Sequence, residues 1–171
     1  MTLRATGLVV GPLQGIDLEL GLGLTVLVGE AECGASTLLR VLAGVQVPDA
    51  GLVTGGPCVL LGAPPGEEWE RDDVVVAALA APHLVGREMG SMSSGERQRV
   101  RLASVLADPA PVLLLDEPLG YLDELSLRMV LTRLNGDGRP VLVVCKADPR
   151  AAAAAGRVVT LVDGRLLDLP S

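Results

Sequence analysis

The segment TVLVGEAECGASTLLRVLAG, from Thr25 to Gly44, guides the interpretation of the whole chain. In it an apolar strand leads into a glycine-rich turn, and the turn leads into Ser-Thr and an apolar helix. This order is typical of a phosphate-binding loop, which has the pattern G-x-x-x-x-G-K-[ST]. Four residues match the pattern and are the predicted nucleotide-binding residues of this loop: Gly29, Gly34, Ser36 and Thr37.

The charge of the loop departs from the pattern. Ala35 stands where the pattern has lysine, and Glu30 and Glu32 lie inside a loop that should hold an anion. A glutamate about 5 Å from a phosphate charge costs about 3 kcal/mol at an effective dielectric constant near 20. The missing lysine removes a comparable favourable term, so the combined penalty spans several powers of ten in affinity if one glutamate faces the phosphates, and it is smaller if both point outward. We therefore expect this loop to bind nucleotide weakly or not at all.

Composition restricts the possible partners. The 171 residues are 49% apolar with one Trp, one Tyr and no Phe, so the core must be aliphatic. A net charge of −7 argues against a nucleic-acid partner. Cys33, Cys58 and Cys145 show no metal-binding spacing and are expected to be free thiols in a reducing cytoplasm. The N-terminus resembles no signal peptide and the longest apolar run, 74–82, is too short to span a bilayer, so we expect a soluble protein.

Short apolar runs alternate with helical patterns along the chain. Residues 16–20 predict a half-buried strand near a sheet edge, and four runs predict buried strands: 24–28, 58–61, 112–116 and 141–145. The predicted helices are 36–43, 72–80, 95–107, 124–134 and 149–155. Residues 157–169 predict a hairpin around Asp163-Gly164. This order favours a single α/β domain, residues 1–171, with a mainly parallel sheet covered on both faces.

A buried strand ending in two carboxylates is formed by VLLLDEP, residues 112–118. In a phosphate-loop enzyme the first carboxylate, here Asp116, helps to hold Mg²⁺. The second, here Glu117, can orient or deprotonate an attacking water. An ordinary strand that ends in acidic residues before a proline turn is the alternative.

The segment MSSGERQRVRLASVLADP, residues 92–109, predicts a well-defined helix start. Ser93 and Glu96 form the sequence pattern of a capping box. The free N–H groups and the dipole at such a start suit an anion. The alternative is an amphipathic helix with solvated arginines and an apolar stripe, made respectively of Arg97, Arg99 and Arg101 and of Val100, Ala103 and Leu106.

Taken in order, these segments resemble the nucleotide-binding domain of ATP-binding cassette (ABC) proteins, in a degenerate and shortened form. The resemblance covers about residues 18–167 and is most specific over 92–123. It implies a P-loop NTPase-type fold with a mainly parallel sheet flanked by helices. The antiparallel extension looks reduced, and the helical subdomain looks trimmed to about 64–107. In this family two domains pair head to tail, and each ATP lies between the phosphate loop of one domain and the signature helix of the other.

The resemblance assigns roles to residues by position. Residues 92–96 stand for the signature L-S-G-G-Q, and four of them are expected to face a partner's ATP: Ser93, Ser94, Gly95 and Glu96. Ser36 and Asp116 match the Mg²⁺ ligands, and Glu117 matches the catalytic glutamate. Leu122-Asp123 matches the loop that communicates across the dimer.

Other family positions are not filled as the resemblance would require. Glu32 replaces a glycine, and a left-handed conformation there would cost about 1–2 kcal/mol. Gly62 stands where a glutamine should contact Mg²⁺ and the membrane subunit. Cys145-Lys146 stands where a histidine should reach the γ-phosphate. His83 is far from that position and is interpreted as a surface or turn residue.

The resemblance therefore implies a subunit of an ABC transporter that binds ATP and Mg²⁺ weakly at its own site, with Glu117 largely idle. Its partners would be a second, more complete ATPase subunit and membrane permease subunits. It would lie in the cytoplasm, on the inner face of the cell membrane. Two alternatives stay open: a free-standing pseudo-ATPase acting as a binding or regulatory module, and an active ATPase in which Lys146 substitutes for the missing cation. Chromosome proteins of the SMC type share the signature, but the chain has no long heptad segment.

Overall fold

Residues 2–62 and 82–168, which the computed structural model describes, form nine strands and four α-helices. The strands are β1 Leu3–Val10, β2 Leu13–Leu20, β3 Gly23–Gly29, β4 Ala50–Thr54, β5 Cys58–Leu61, β6 Val112–Asp116, β7 Pro140–Cys145, β8 Arg157–Val162 and β9 Arg165–Asp168. The helices are α1 Ala35–Leu42, α2 Ser94–Ala107, α3 Glu124–Asn135 and α4 Pro149–Ala154, with short 3-10 helices at Pro82–Leu84 and Met89–Ser91. The predicted helix at 72–80 and part of the predicted subdomain at 64–107 lie outside the described residues.

The larger sheet of the described residues contains six strands in the order β5-β6-β7-β3-β8-β9. Neighbouring strands pair in parallel except β8 and β9, which are antiparallel. A two-residue turn joins these last two strands, and both of its residues have positive φ, 47° at Asp163 and 73° at Gly164. This geometry matches the twist of a hairpin. The predictions of a mainly parallel sheet and of a C-terminal hairpin are thus confirmed.

The three central strands of this sheet, β6, β7 and β3, are buried on both faces. Along β6, Leu113 and Leu115 join one core cluster, and Val112 and Leu114 join the other. The first cluster includes apolar residues of α2, α3 and α4, and the second includes α1 and the smaller sheet. Successive side chains of a strand point to opposite faces, so a strand with no polar position must be covered on both. The prediction of two covered faces is confirmed.

A smaller antiparallel sheet, with the strand order β2-β1-β4 in the described residues, packs over α1. The strand predicted at 16–20 is part of β2 and lies at an edge, as expected. The sequence pattern missed β1 and β4. Gly7, with φ 59°, lies at a register shift between Ala5 and Leu8, and this bulge breaks the alternation that marks a strand.

The helices begin and end where local hydrogen bonding favours it. At the start of α2, the Ser93 hydroxyl accepts from the N–H of Glu96 at 3.3 Å, and the Glu96 carboxylate accepts from the N–H of Ser93 at 2.7 Å. The predicted capping box is therefore confirmed. Beyond the end of α2, the guanidinium of Arg139 donates to three backbone carbonyls at 3.1, 2.6 and 2.8 Å, those of Leu106, Asp108 and Ala110. Arg139 thus fixes the exit of α2 to the start of β7.

Candidate functional site

The predicted chemistry-bearing residues meet at one edge of the large sheet. The phosphate loop follows β3, Asp116 ends β6 and is followed by Glu117, and Lys146 follows β7. These three strands are neighbours in the sheet and run parallel. Their carboxyl ends therefore open at the same edge, which is where ligands bind in sheets of this kind.

One glycine of the phosphate loop is required by its conformation and its close neighbours, and a second lies against a cysteine side chain that could rotate away. A side chain at Gly34, whose φ is 99°, would lie 2.8 Å from both Pro12 and Leu13. A side chain at Gly29 would lie 2.5 Å from the sulfur of Cys33. Glu32 also has a left-handed backbone, with φ 66°. The strain expected at this glutamate is thus present, at about 1–2 kcal/mol.

A cavity of about 450 Å³ lies between the loop, the start of α1 and the end of β6. Ser36, Thr37, Asp116 and Glu117 all line it, together with Arg40 from α1. The side chain of Ala35 is buried, and both Glu30 and Glu32 are exposed. The loop therefore keeps the shape of a phosphate cradle, but its described residues offer two carboxylates and no lysine to an anion.

At the end of β5, the neighbouring strand β6 leaves little space for a side chain. Leu61 pairs with Leu115, so the next residues, Gly62 and Asp116, lie side by side. Gly62 has a φ of 128°, and a Cβ atom there would lie 2.7 Å from the Cβ of Asp116. A side chain at position 62 is therefore opposed both by the backbone conformation and by Asp116.

Lys146 lines a second, larger cavity of about 1090 Å³ on the other side of the loop. Glu30, Glu32 and Cys33 line both cavities, and the β8–β9 turn at Asp163 closes the larger one. Among the described residues, Ser36 and Asp116 belong only to the smaller cavity. Lys146 thus shares a cavity with the two loop glutamates but not with the predicted Mg²⁺ ligands.

The signature turn is held together by a closed network of charged and backbone groups. Arg87 Nη1 lies 3.0 Å from Glu96 Oε1, and Arg87 Nη2 donates to the carbonyl of Ser91 at 2.8 Å. His83 Nε2 lies 3.5 Å from the same Oε1 atom. The backbone N–H and the hydroxyl of Ser93, together with Arg87, lower the pKa of Glu96 to about 2. Sequence analysis missed these contacts of Arg87 and His83.

The start of α2 docks on the loop that follows Glu117. A Cβ atom at Gly95 would lie 2.6 Å from the carbonyl oxygen of Tyr121, so only glycine fits there. One turn further on, the side-chain amide of Gln98 donates to the carbonyl of Pro118 at 3.0 Å. Tyr121 itself is 81% exposed and has a φ of 65°. The signature residue Gly95 is therefore also a packing residue of this chain.

Asp123 at the end of the same loop caps α3. Its carboxylate accepts from the N–H of Ser126 at 2.8 Å and from the Ser126 hydroxyl at 3.0 Å. These bonds lower the pKa of Asp123. The loop at 117–123 is thus anchored at both ends, to α2 and to α3.

The structure separates the predicted residues into two groups. Gly29, Gly34, Ser36, Thr37, Asp116 and Glu117 line one cavity. Ser93 and Glu96 are described and line neither that cavity nor the larger one. The signature turn thus does not complete the loop cavity of its own chain.

The described residues contain no group of three or more His, Cys, Asp or Glu side chains that could hold a metal ion. Mg²⁺ in phosphate sites is usually held by one or two carboxylates together with the substrate phosphates. Ser36 and Asp116, which line the same cavity, fit that smaller ligand set. No described helix is both long and apolar enough to cross a bilayer.

These features define a phosphate-loop nucleotide-binding domain with a signature helix, and comparison with known proteins narrows the class. Residues 66–120 match the family model described as ABC transporter. The hemin import ATP-binding protein HmuV of Nocardia farcinica is 36% identical over 220 residues, covering 97% of this chain and 76% of the relative. The aliphatic sulfonates import ATP-binding protein SsuB of Pseudomonas fluorescens is 36% identical over 190 residues, covering 92% of this chain and 71% of the relative.

Solved structures agree with this fold. An ATP-binding subunit of an ABC transporter superposes with a TM-score of 0.81 at 18% identity, covering 99% of this chain and 90% of the other. An inward-facing metal-chelate type ABC transporter gives a TM-score of 0.80 at 22% identity, covering 97% of this chain and 82% of the other. The chain belongs to the family of ABC transporter ATP-binding proteins.

Proposed function

We propose that this chain is an ATP-binding subunit of an ABC importer and pairs head to tail with a second, more complete ATPase subunit. Its own nucleotide site would be weak, and its signature helix would serve the partner's ATP. Relatives named as hemin and aliphatic sulfonates import ATP-binding proteins favour import. The pair would dock on membrane permease subunits at the cytoplasmic face of the cell membrane, with no nucleic acid involved.

The observation that supports this proposal is the contrast between the two functional surfaces. The phosphate cavity has lost its lysine at Ala35 and is walled by Glu30 and Glu32. At Gly62 the neighbouring Asp116 leaves no room for a side chain. The signature turn, in contrast, has a complete capping box on Ser93. A chain with a poor phosphate cavity and a well-formed signature turn is suited to serve a partner's ATP rather than its own.

The signature turn has the donors that a γ-phosphate needs. The Ser93 hydroxyl accepts one hydrogen bond from the N–H of Glu96, and its single proton, which here is directed at the Glu96 carboxylate, would have to turn outward to reach a γ-phosphate. The N–H groups at the start of α2 add further donors and the positive end of the helix dipole. Donors aimed at the γ-phosphate stabilise the charge that develops on it during transfer.

Within its own cavity the chain would hold ATP and Mg²⁺ poorly. Ser36 and Asp116 would be the Mg²⁺ ligands, and the metal would neutralise phosphate charge when bound. Glu117 lines this same cavity, so it faces the impaired site and would be largely idle in turnover.

Two variants of the assembled complex test this division of labour. Ser93→Arg fills the anion position with bulk and should abolish ATPase activity. Glu117→Gln should leave most of the activity, because Glu117 faces the impaired site. The measurement is phosphate release from purified complex. If Glu117→Gln stops turnover and Ser93→Arg does not, the roles proposed for the two surfaces are reversed.

Calorimetry with Mg-ATP tests the weak site directly on the isolated chain. A micromolar dissociation constant for the chain would contradict the proposal. Ala35→Lys alone should improve binding little, because Glu32 and the missing contact at Gly62 remain. The double variant Glu32→Gly, Ala35→Lys should improve it further, since it also removes a carboxylate and a left-handed glutamate.

An active ATPase with an unusual loop is a second candidate, because Lys146 lines the larger cavity opposite Glu30 and Glu32. Lys146→Ala separates the two ideas. A large loss of nucleotide binding at an unchanged melting temperature would favour the active ATPase. A free-standing pseudo-ATPase would instead be indicated if the chain, expressed with its neighbouring genes, purified without permease or ATPase subunits.

A further inference from the structure

The signature turn of this chain presents an electrostatic problem. Glu96 is the third residue of α2, at the helix end that would face a partner's phosphate. A carboxylate there opposes the anion that the helix start otherwise attracts. The side chain of Glu96 is only 18% exposed, so solvent screens its charge incompletely.

We infer that Arg87 is the positioning residue of this turn: it holds Glu96 folded back onto Ser93 and compensates the carboxylate, so that the helix start presents donors to the γ-phosphate of the partner's ATP. This inference rests on the proposed role of the signature helix. Arg87 would not touch the nucleotide and would act through Glu96 and Ser93.

The two carboxylate oxygens of Glu96 contact different partners. Oε2 accepts from the backbone N–H of Ser93 at 2.7 Å, and Oε1 lies 3.0 Å from Nη1 of Arg87. Both oxygens are thus turned toward this chain. Ser93 is held with φ −66° and ψ 165°, the extended conformation that places its hydroxyl over the helix start.

Arg87 is itself fixed to the turn that leads into the signature. Its Nη2 atom donates to the carbonyl of Ser91 at 2.8 Å, two residues before Ser93. One guanidinium therefore bridges the backbone before the cap and the carboxylate after it. His83, with Nε2 at 3.5 Å from Oε1, is a second basic side chain beside this carboxylate, and it is 57% exposed.

Mutation of Arg87 should affect the activity of the partner site more than the stability of the fold, which distinguishes this role from that of a merely structural ion pair. Partly exposed pairs of this kind contribute little to the stability of a fold. Loss of Arg87 should therefore change the melting temperature little, whereas an uncompensated carboxylate facing the γ-phosphate should weaken the partner site strongly.

The test uses the assembled complex with Arg87→Gln. We expect kcat/KM for ATP to fall about tenfold or more while the melting temperature stays within about 2 °C of the parent. ADP affinity should not change, because Glu96 would face only the γ-phosphate. The matched control is Arg101→Gln, which removes an exposed arginine of α2 and should leave the activity unchanged.

A double variant distinguishes charge compensation from other effects. Arg87→Gln combined with Glu96→Gln removes both charges, keeps hydrogen-bonding groups at both positions and should restore most of the activity. If the double variant stays as impaired as Arg87→Gln, the compensation inferred for Arg87 is wrong. If Ser93→Arg abolishes turnover but Arg87→Gln behaves as the parent, the inference fails while the proposed function stands. If Ser93→Arg has no effect, the proposed function itself fails.

Discussion

Replacement of Gly95 by alanine should uncouple the signature helix from the loop at 117–123. The new Cβ atom would lie 2.6 Å from the carbonyl oxygen of Tyr121, which is a backbone atom and cannot rotate away. Pro118, in the same loop, is tied to α2 by Gln98. Overpacking against such a site costs about 1–3 kcal/mol. Because alanine has a higher helix propensity than glycine, the substitution offsets at most about 1 kcal/mol of this cost.

A 2.6 Å contact with a backbone oxygen favours the upper part of this overpacking range, about 2–3 kcal/mol, so the expected net destabilisation by Gly95→Ala is about 1–2 kcal/mol. In a chain of this size it corresponds to a fall of about 2–8 °C in melting temperature. Thermal unfolding followed by circular dichroism measures it. The control is Gly90→Ala, in the 3-10 helix just before the signature, where a Cβ atom would meet nothing within 4 Å. If both variants melt with the parent, the packing role assigned to Gly95 is refuted.

Three further outcomes follow from the described contacts. Gly62→Gln should lower the free energy of unfolding by about 2–4 kcal/mol, from left-handed strain and the clash with Asp116; an unchanged urea midpoint would contradict this. Arg139→Ala should lower the free energy of unfolding, measured in urea, by about 2–4 kcal/mol, because three backbone carbonyls lose their donor. A decrease no larger than that caused by Arg101→Ala would contradict this prediction. Because the fold lowers the pKa of Glu96 from 4.5 to about 2, its stabilising contribution is complete above pH 4.5 and disappears toward pH 2. Glu96→Gln should flatten the melting-temperature profile in that window, and a parallel profile would argue against the capping role.

The strands of the large sheet and the start of α2 were predictable because their signals are local. Buried parallel strands such as β6 are continuous apolar runs, and the capping box of Ser93 and Glu96 spans only three residues. In contrast, β4 has no fully buried residue, so its sequence carries no alternation to detect.

Other features of the candidate site depend on contacts between residues that are distant in the sequence. Gly62 meets Asp116 only because β5 and β6 pair in one register. Arg87 reaches Glu96 only because the 3-10 helix at Met89–Ser91 turns the chain back. Neither pairing has a sequence period, so pattern analysis could identify the residues but not their contact.

The fit of Gly62 against Asp116 also restricts how this chain can change over generations. A side chain at position 62 has no room until the ends of β5 and β6 move apart. A first substitution there would lower stability and restore no nucleotide contact, since Ala35 and Glu32 would remain as they are. Recovery of nucleotide contacts in the cavity therefore requires several substitutions, and the first of them lower the stability of the fold. If this chain works with a second ATPase subunit as proposed, a lineage that reached this sequence would stay dependent on that subunit, whose phosphate loop would be under correspondingly stronger selection.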